Sequence, residues 1–201
     1  MDFDYIKNLI YSDVTSVLDI GAHFGLFTKE MYNVFPNAEY HMVDANVECE
    51  NKLKEISFAK YYIELLSDSE KEITYYMNKD DVTSTGNSYY KEMSHHFSND
   101  NFKTVIRNSK TLDTLFGDKT FDFIKLDTQG SELDIIRGGK ELIKKANTIL
   151  IECSVIPYNE NAPLVDDILT YMREIGFDIQ TIVYEHIIED KCVQQDILFQ
   201  R

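Results

Sequence analysis

Short apolar runs typical of β-strands alternate along this chain with longer segments of helical period. Strands are expected at Ser16–Ile20, Glu39–Val43 and Phe58–Leu66, with helices from about Leu26 to Val34 and from Val47 to Ile56. Parallel strands need long crossover connections, which are usually helical. The alternation therefore predicts βαβ units and a mostly parallel sheet.

The second half of the chain continues this pattern but ends differently. Strands are expected at Ile73–Met77, Phe121–Leu126 and Thr148–Glu152, and helices at Ser131–Ala146 and from Pro163 to Glu174. Two final strands, Asp178–Tyr184 and Val193–Gln200, are joined by an acidic turn, which is typical of an antiparallel hairpin. We therefore predict an α/β, doubly wound, Rossmann-like sheet in a single domain covering residues 1–201, because no Pro-rich linker divides the chain.

The stretch from Asn78 to Asn101 is polar and has little apolar periodicity. Loops of this length usually either bind something or are disordered. Tyr89, Tyr90 and Phe97 favour binding, so we expect a lid over the functional site. His95 in this stretch is expected to be solvated, and it is also a candidate catalytic base.

The charge balance excludes several classes of function. Lys and Arg number 20 against 35 Asp and Glu, which gives a formal net charge of −15 and argues against a nucleic-acid partner. No apolar run approaches the roughly 20 residues of a membrane span, and Asp2 and Asp4 stand where a secretory signal would be basic, so we expect a soluble, cytoplasmic protein. The three cysteines are too far apart for a CxxC zinc site or a disulfide framework.

Ligands of open parallel sheets bind outside the carboxyl ends of the strands. After the first strand, Asp19, Gly21 and Gly25 form a strand–Asp–x–Gly–x–x–x–Gly turn. His23 and Leu26 occupy positions where a dinucleotide fingerprint needs glycine, and the chain contains no Walker loop. The turn resembles the first motif of doubly wound methyltransferases that use S-adenosylmethionine, in which it faces the methionine part of the cofactor.

The next two strand ends also carry polar residues. Asp44, followed by Ala45 and Asn46, is placed to accept hydrogen bonds from both hydroxyls of an adenosine ribose, although it can also cap the next helix, for which Asn46 is better placed. Ser67 and Asp68 follow the third strand, where they either meet the adenine amino group or form an ordinary turn.

The segment from Phe123 to Gly139 is the most distinctive, because it carries Asp127, Gln129, Gly130 and Glu132 between a strand and a helix. With the first motif it resembles the FkbM family of methyltransferases, which have lysine–x–Asp–x–(Gln/Glu)–Gly–x–Glu here. The resemblance runs from about Ser16 to Phe199. His23 replaces the family's usual asparagine, and Val-Asp-Ala-Asn replaces its Phe-Glu-Pro after the second strand.

The resemblance implies a seven-stranded methyltransferase sheet and methyl transfer from S-adenosylmethionine, usually to an oxygen of a sugar or a carbohydrate-bearing small molecule. It also implies a set of cofactor-binding residues at the first three strand ends. These are Asp19, Gly21, Ala22, His23, Gly25, Thr28, Asp44, Ala45, Asn46, Ser67 and Asp68.

Asp127, Glu152 and His95 are the candidates for the catalytic base. Asp127 can instead cap the following helix, and Glu132 can make a capping contact in its first turn. A metal-assisted alternative has Asp127 and Glu152 hold Mg²⁺ or Mn²⁺ against a vicinal diol of the acceptor. A second alternative is an inert sugar- or nucleoside-binding module that retains the fold.

Overall fold

Ten strands and seven helices follow one another in the part of the chain that the structure describes. The computed structural model describes residues 1–10, 12–94 and 101–201, and every structural statement below concerns these residues. The strands are β1 (Ser16–Ile20), β2 (Glu39–Asp44), β3 (Ala59–Ile63), β4 (Leu65–Leu66), β5 (Glu72–Asn78), β6 (Phe102–Lys110), β7 (Phe123–Leu126), β8 (Thr148–Ser154), β9 (Ile179–Ile188) and β10 (Lys191–Gln200). The helices are α1 (Phe3–Leu9), α2 (Leu26–Val34), α3 (Glu50–Lys54), α4 (Leu112–Phe116), α5 (Glu132–Gly138), α6 (Lys140–Lys145) and α7 (Val165–Glu174), with a 3₁₀ turn at Val47–Cys49.

The main sheet has seven strands in the order β3-β2-β1-β7-β8-β10-β9. The first three strands run outward from β1, and the chain then returns to the other side of β1 through β7 and β8, all in parallel. β10 is antiparallel to both β8 and β9. This confirms the predicted doubly wound, mostly parallel sheet with its C-terminal hairpin, and it places the switch in strand order between β1 and β7.

Helices cover both faces of this sheet. Successive side chains of a strand point in opposite directions, so each strand contributes apolar side chains to both faces. Phe123 and Leu150 pack against α1 and α2 with Ile6 and Met31. Their neighbours along the strands, such as Ile124, belong to a larger cluster with residues of α4, α5, α6 and α7. Strands buried on both faces read as continuous apolar runs, which explains why their positions are predicted well.

A second, three-stranded sheet in the order β4-β6-β5 corrects the predicted elements. The expected third strand, Phe58–Leu66, is two strands, because β3 ends at Ile63 and Leu65–Leu66 pair with β6 instead of β2. The expected helix Ser131–Ala146 is also two elements, α5 and α6. A side chain at Gly138 would lie 2.2 Å from the Ser67 carbonyl oxygen, so glycine allows close packing where α5 ends.

None of the helices in the described ranges is long and apolar enough to cross a membrane.

Candidate active site

The turn after β1 adopts left-handed backbone conformations that suit glycine. Gly21 has φ +78°, and a side chain there would lie 1.7 Å from the Asp127 carbonyl oxygen, so only glycine lets the ends of β1 and β7 approach this closely. His23 also has a positive φ, +51°, a conformation that Asn, Asp and His adopt more readily than other side chains. This explains how histidine fits at position 23, where the family that the sequence resembles usually has asparagine.

Asp44, at the end of β2, holds this turn in place. Its Oδ2 accepts the backbone N–H of His23 at 2.7 Å, and its Oδ1 accepts that of Asn46 at 2.7 Å. The residue is 8% exposed, and burial raises the pKa of its carboxyl group. Asn46 caps the 3₁₀ turn by accepting the N–H of Glu48, as its position in the sequence predicts. Each Asp44 oxygen keeps capacity for one more hydrogen bond.

A cavity of about 680 Å³ opens beside Asp44 and is called the first cavity here. Residues at the ends of β1 and β2 form one wall, and apolar side chains and the polar loop after β5 form the others. Its lining includes Gly21, His23, Asp44, Ala45, Asn46, Glu64, Leu65, Leu66, Tyr75, Ser84, Thr85, Asn87, Ser88, Tyr89, Asp127 and Ile135.

The described part of the polar loop is fastened across this first cavity. The His23 Nε2 donates to the Thr83 carbonyl oxygen at 2.7 Å, and the Asn46 Nδ2 donates to that of Val82 at 2.7 Å. At the other end, the hydroxyls of Tyr89 and Tyr90 both donate to Asp134 of α5. The loop therefore bridges the strand ends, while the expected lid residues His95 and Phe97 lie outside the described part of the chain.

A buried ion pair lies beneath the turn. Lys125, 6% exposed, places its Nζ 3.0 Å from Asp127 Oδ2 and 3.7 Å from Asp19 Oδ1. Asp19 is fully buried, its Oδ2 accepts the Thr28 hydroxyl, and burial raises the pKa of its carboxyl group. Burial also opposes the ionisation of Asp127, but the Lys125 ammonium outweighs it and lowers the Asp127 pKa. Asp127 is thus held as a carboxylate.

Gln129 joins the carboxylates of β7 and β8. Its Nε2 donates to Asp127 Oδ1 at 3.1 Å and to Glu152 Oε2 at 2.7 Å, and Gln194 Nε2 donates to the same Glu152 oxygen at 2.9 Å. Glu152 is 7% exposed, and burial raises the pKa of its carboxyl group well above the usual range. β7 and β8 are neighbours, which brings Asp127 and Glu152 to one place.

Glu132 organises the turn that carries Gln129. Its Oε1 accepts the backbone N–H groups of Thr128 and Gly130, at 2.6 and 3.3 Å, and the Thr128 hydroxyl at 3.0 Å. These hydrogen bonds hold the turn before α5 and are not the capping contact expected in the first turn of the helix. Because the side chain is buried, the Glu132 pKa rises to about 7. Asp127, in contrast, bonds Lys125 and Gln129 rather than capping α5.

A second cavity, of about 930 Å³, lies on the other side of the turn. It shares Gly21, His23 and Asp127 with the first cavity, so these residues form the wall between the two. Both ends of the chain contribute to it, and its lining combines aromatic and charged side chains. The lining residues are Met1, Phe3, Gly21, Ala22, His23, Phe24, Leu26, Phe27, Glu30, Lys125, Asp127, Glu152, Tyr184, His186 and Asp196.

His186 and Asp196 belong to this site but are not predicted from the sequence. The His186 Nε2 lies 3.3 Å from Asp196 Oδ2 and 3.7 Å from Glu152 Oε1. The Asp196 contact raises the pKa of His186, although partial burial opposes it. These residues come from the two strands of the hairpin, more than 30 residues beyond Glu152, and no local spacing links them to it.

The structure separates the residues predicted to bind the cofactor. Gly21, His23, Asp44, Ala45 and Asn46 line the first cavity, and Ala22 lines the second. Asp19, Gly25 and Thr28 line neither cavity, and a side chain at Gly25 would meet Ile56 at 2.2 Å, so this glycine serves packing.

Ser67 and Asp68 also line neither cavity. Ser67 is buried beside Tyr89, and Asp68 bonds Lys71 and Ser69. Because β3 ends at Ile63, Glu64 takes the strand-end position in the first cavity.

Comparison with known proteins gives a family match and structural neighbours. The model of the methyltransferase FkbM domain matches residues 19–179. A methyltransferase FkbM from Methylobacillus flagellatus KT superposes with a TM-score of 0.64 at 16% identity, covering 95% of this chain and 44% of that one. An O-methyltransferase family protein from Burkholderia thailandensis gives 0.54 at 11% identity, covering 98% and 54%.

The plantazolicin methyltransferase BpumL, solved with a desmethyl plantazolicin analogue and S-adenosylhomocysteine, gives 0.52 at 12% identity, covering 98% of this chain and 81% of that one. These likenesses are in fold. The chain spans less than half of the Methylobacillus protein and about half of the Burkholderia protein. A search of curated proteins found no match.

Proposed function

Since the chain belongs to the FkbM methyltransferase domain family, we propose that it transfers a methyl group from S-adenosylmethionine to a hydroxyl oxygen of a sugar or of a carbohydrate-bearing small molecule. The observation that carries the proposal is the pair of cavities that meet at Gly21, His23 and Asp127. A cofactor in one cavity and an acceptor in the other would meet across this wall.

The first cavity suits the cofactor by its donor and acceptor groups. Asp44 keeps one accepting position on each carboxylate oxygen, which matches the two hydroxyls of a ribose. Leu65, Tyr75 and Ile135 supply apolar surface for a flat base. When bound, S-adenosylmethionine supplies a methyl group on a positively charged sulfur, which is already a good leaving group.

The second cavity suits a polyhydroxylated acceptor. Phe24, Phe27 and Tyr184 offer aromatic surface for the C–H face of a sugar ring. Asp127 and Glu152 offer carboxylate oxygens, which accept hydrogen bonds from hydroxyl groups. The O-methyltransferase family neighbour agrees with an oxygen acceptor, although its similarity is in fold.

The chain's own residues would contribute mainly position and exclusion of water. Asp127 faces both cavities, and Lys125 and Gln129 fix its two oxygens, so it can orient an acceptor hydroxyl toward the wall at Gly21. A carboxylate within hydrogen-bond reach of that hydroxyl can also take its proton as the oxygen attacks, and Asp127, Glu152 and His95 remain the candidates for this role.

The proposal is tested by incubating the protein with labelled S-adenosylmethionine and a panel of nucleotide sugars and glycosides, with S-adenosylhomocysteine binding measured by calorimetry. We expect label in at least one acceptor. Binding of S-adenosylhomocysteine with no transfer to any panel member would favour the inert binding module. Absence of both binding and transfer would refute the cofactor assignment.

Asp127→Asn tests the role of the carboxylate at the shared wall. With an accepted substrate we expect turnover to fall by about 10²- to 10⁴-fold while S-adenosylhomocysteine binding is retained. Asp122→Asn is the matched control, because this carboxylate precedes the same strand at its opposite end and bonds Thr15 and Ser16. Near-normal turnover in Asp127→Asn would contradict the assigned role.

A further inference from the structure

Three side chains from three adjacent strands converge in the wall of the second cavity. Glu152 lies on β8, Asp196 on β10 and His186 on β9. Each offers one ligand atom, and the three atoms lie within 4.8 Å of one another. Ligand atoms about 2.0–2.2 Å from a common divalent ion are at most about 4.4 Å apart. The His186 contacts, 3.3 Å to Asp196 and 3.7 Å to Glu152, are within this limit.

The strand register makes it costly for both carboxyl groups of this cluster to ionise without a cation. Glu152 and Asp196 are direct cross-strand partners in the antiparallel pair β8–β10, and they are 7% and 5% exposed. Like charges directly opposite each other destabilise a sheet, and burial increases the cost. Lys125, the nearest lysine, is hydrogen-bonded to Asp127. Among the described residues nearby, His186 is therefore the side chain able to carry a positive charge that contacts both Glu152 and Asp196. A divalent cation between them would allow both carboxyl groups to ionise.

Second contacts orient Glu152 as a ligand. Its Oε2 accepts hydrogen bonds from two amides, those of Gln129 and Gln194. This leaves Oε1 turned toward His186, at 3.7 Å from Nε2. Hydrogen bonds from neighbouring groups that fix a ligating carboxylate are a regular part of metal sites.

The composition of the cluster selects the kind of ion. Carboxylates suit Mg²⁺, Ca²⁺ or Mn²⁺, whereas imidazole favours Fe²⁺ or Zn²⁺, so this mixed cluster is expected to prefer a transition metal to Mg²⁺ or Ca²⁺. Asp127, which the sequence offers as a metal ligand with Glu152, is instead paired with Lys125 and Gln129.

We propose that Glu152, His186 and Asp196 bind one divalent transition-metal cation, with its remaining coordination positions facing the second cavity. An acceptor oxygen would reach the ion from that cavity, which would place it beside the wall shared with the first. The approach of an acceptor oxygen to the ion rests on the proposed function, but binding of the ion does not.

The test uses the full chain without an affinity tag, after EDTA has removed bound metal. Mn²⁺ is titrated in, and the electron paramagnetic resonance signal of the free ion measures how much binds. A second titration, with Zn²⁺, is measured by calorimetry. We expect one ion per chain. His186→Ala and Asp196→Asn should each weaken binding by about 10-fold or more. Glu185→Gln is the matched control, because Glu185 is adjacent to His186 on β9 and bonds Gln195 outside the cluster. It should bind the ion as the wild type does.

Thermal unfolding gives a readout that a misfolded variant cannot imitate. In EDTA, Asp196→Asn should melt no lower than the wild type, since it removes one of two opposed charges. Mn²⁺ should raise the melting temperature of the wild type but not that of Asp196→Asn. Wild-type protein that binds neither ion at millimolar concentration, or variants that bind as well as the wild type, would overturn the site. S-adenosylhomocysteine calorimetry on the same samples reports separately on the proposed function.

Discussion

Asp44→Ala separates the two tasks that the structure gives to one carboxylate. In the folded chain Asp44 accepts two backbone N–H groups at 2.7 Å, those of His23 and Asn46, and so holds the turn after β1 against the end of β2. The same carboxylate lines the first cavity, where we propose that it binds the ribose hydroxyls. The substitution should therefore lower both stability and cofactor affinity.

The two effects have different sizes. Hydrogen bonds to a charged group contribute about 1.5–3 kcal/mol each, and burial of the carboxylate, which raises the pKa of Asp44, offsets part of this. We expect a net loss of about 2 kcal/mol in the free energy of unfolding, or a melting temperature lower by about 4–8 °C. Loss of the ribose bonds should weaken S-adenosylhomocysteine binding by a further 1–3 kcal/mol or so, which is about 5- to 150-fold.

Denaturant unfolding measures the first effect, and calorimetry well below both melting temperatures measures the second. Asp44→Asn should fall between the wild type and Asp44→Ala, because one accepting oxygen remains. Asp68→Ala is the control, since Asp68 is an exposed carboxylate that bonds Lys71 outside the first cavity. If folded Asp44→Ala bound S-adenosylhomocysteine within a factor of about two of the wild type, the ribose assignment would be wrong.

Three further predictions concern the turns and the loop. Glu132→Gln should keep the three hydrogen bonds at Oε1 but remove the cost of ionising a buried acid. The pKa of Glu132 in the folded chain is raised from 4.5 to about 7, so the stability of the wild type should fall as pH rises through this window. Denaturant unfolding at pH 4.5 and at pH 8 should show a loss of about 3 kcal/mol relative to the variant. His23→Asn should be more stable than His23→Val by about 1–2 kcal/mol in thermal unfolding, because asparagine adopts the left-handed backbone conformation of this position more readily than valine does. Protease cleavage between residues 82 and 101 should slow when S-adenosylhomocysteine is bound, and an unchanged rate would contradict the lid.

The sequence predicts the main sheet well and the second sheet poorly. Strands buried on both faces, such as β7 and β8, read as unbroken apolar runs. β6 has no such signal, because Ser109 is the single fully buried side chain among its nine residues and apolar Ile106 points to solvent. Its pairing with β5 and β4 depends on partners more than 20 residues away, which local periodicity does not report.

The same distinction applies to the site. Gly21, Asp44 and Asp127 are found from the sequence, because each lies at the end of a strand, or immediately after it, and these strand ends are easily recognised. Ser67 and Asp68 do not take the expected position because β3 ends at Ile63 and not at Leu66, a boundary that apolar runs do not mark. His186 and Asp196 meet Glu152 through strand register across the hairpin, and a change of one residue in that register would turn either side chain to the opposite face.

The two cavities draw on different parts of the chain. Every residue that lines the first lies between Ile20 and Ile135, inside the segment shared with the family, whereas the second also uses Phe3 before that segment and Tyr184, His186 and Asp196 after it. The segment matched by the family model thus builds the first cavity, and residues on both sides of that segment complete the second. If the second cavity holds the acceptor, as we propose, exchange of the C-terminal hairpin would change the choice of acceptor and leave every residue that lines the first cavity in place.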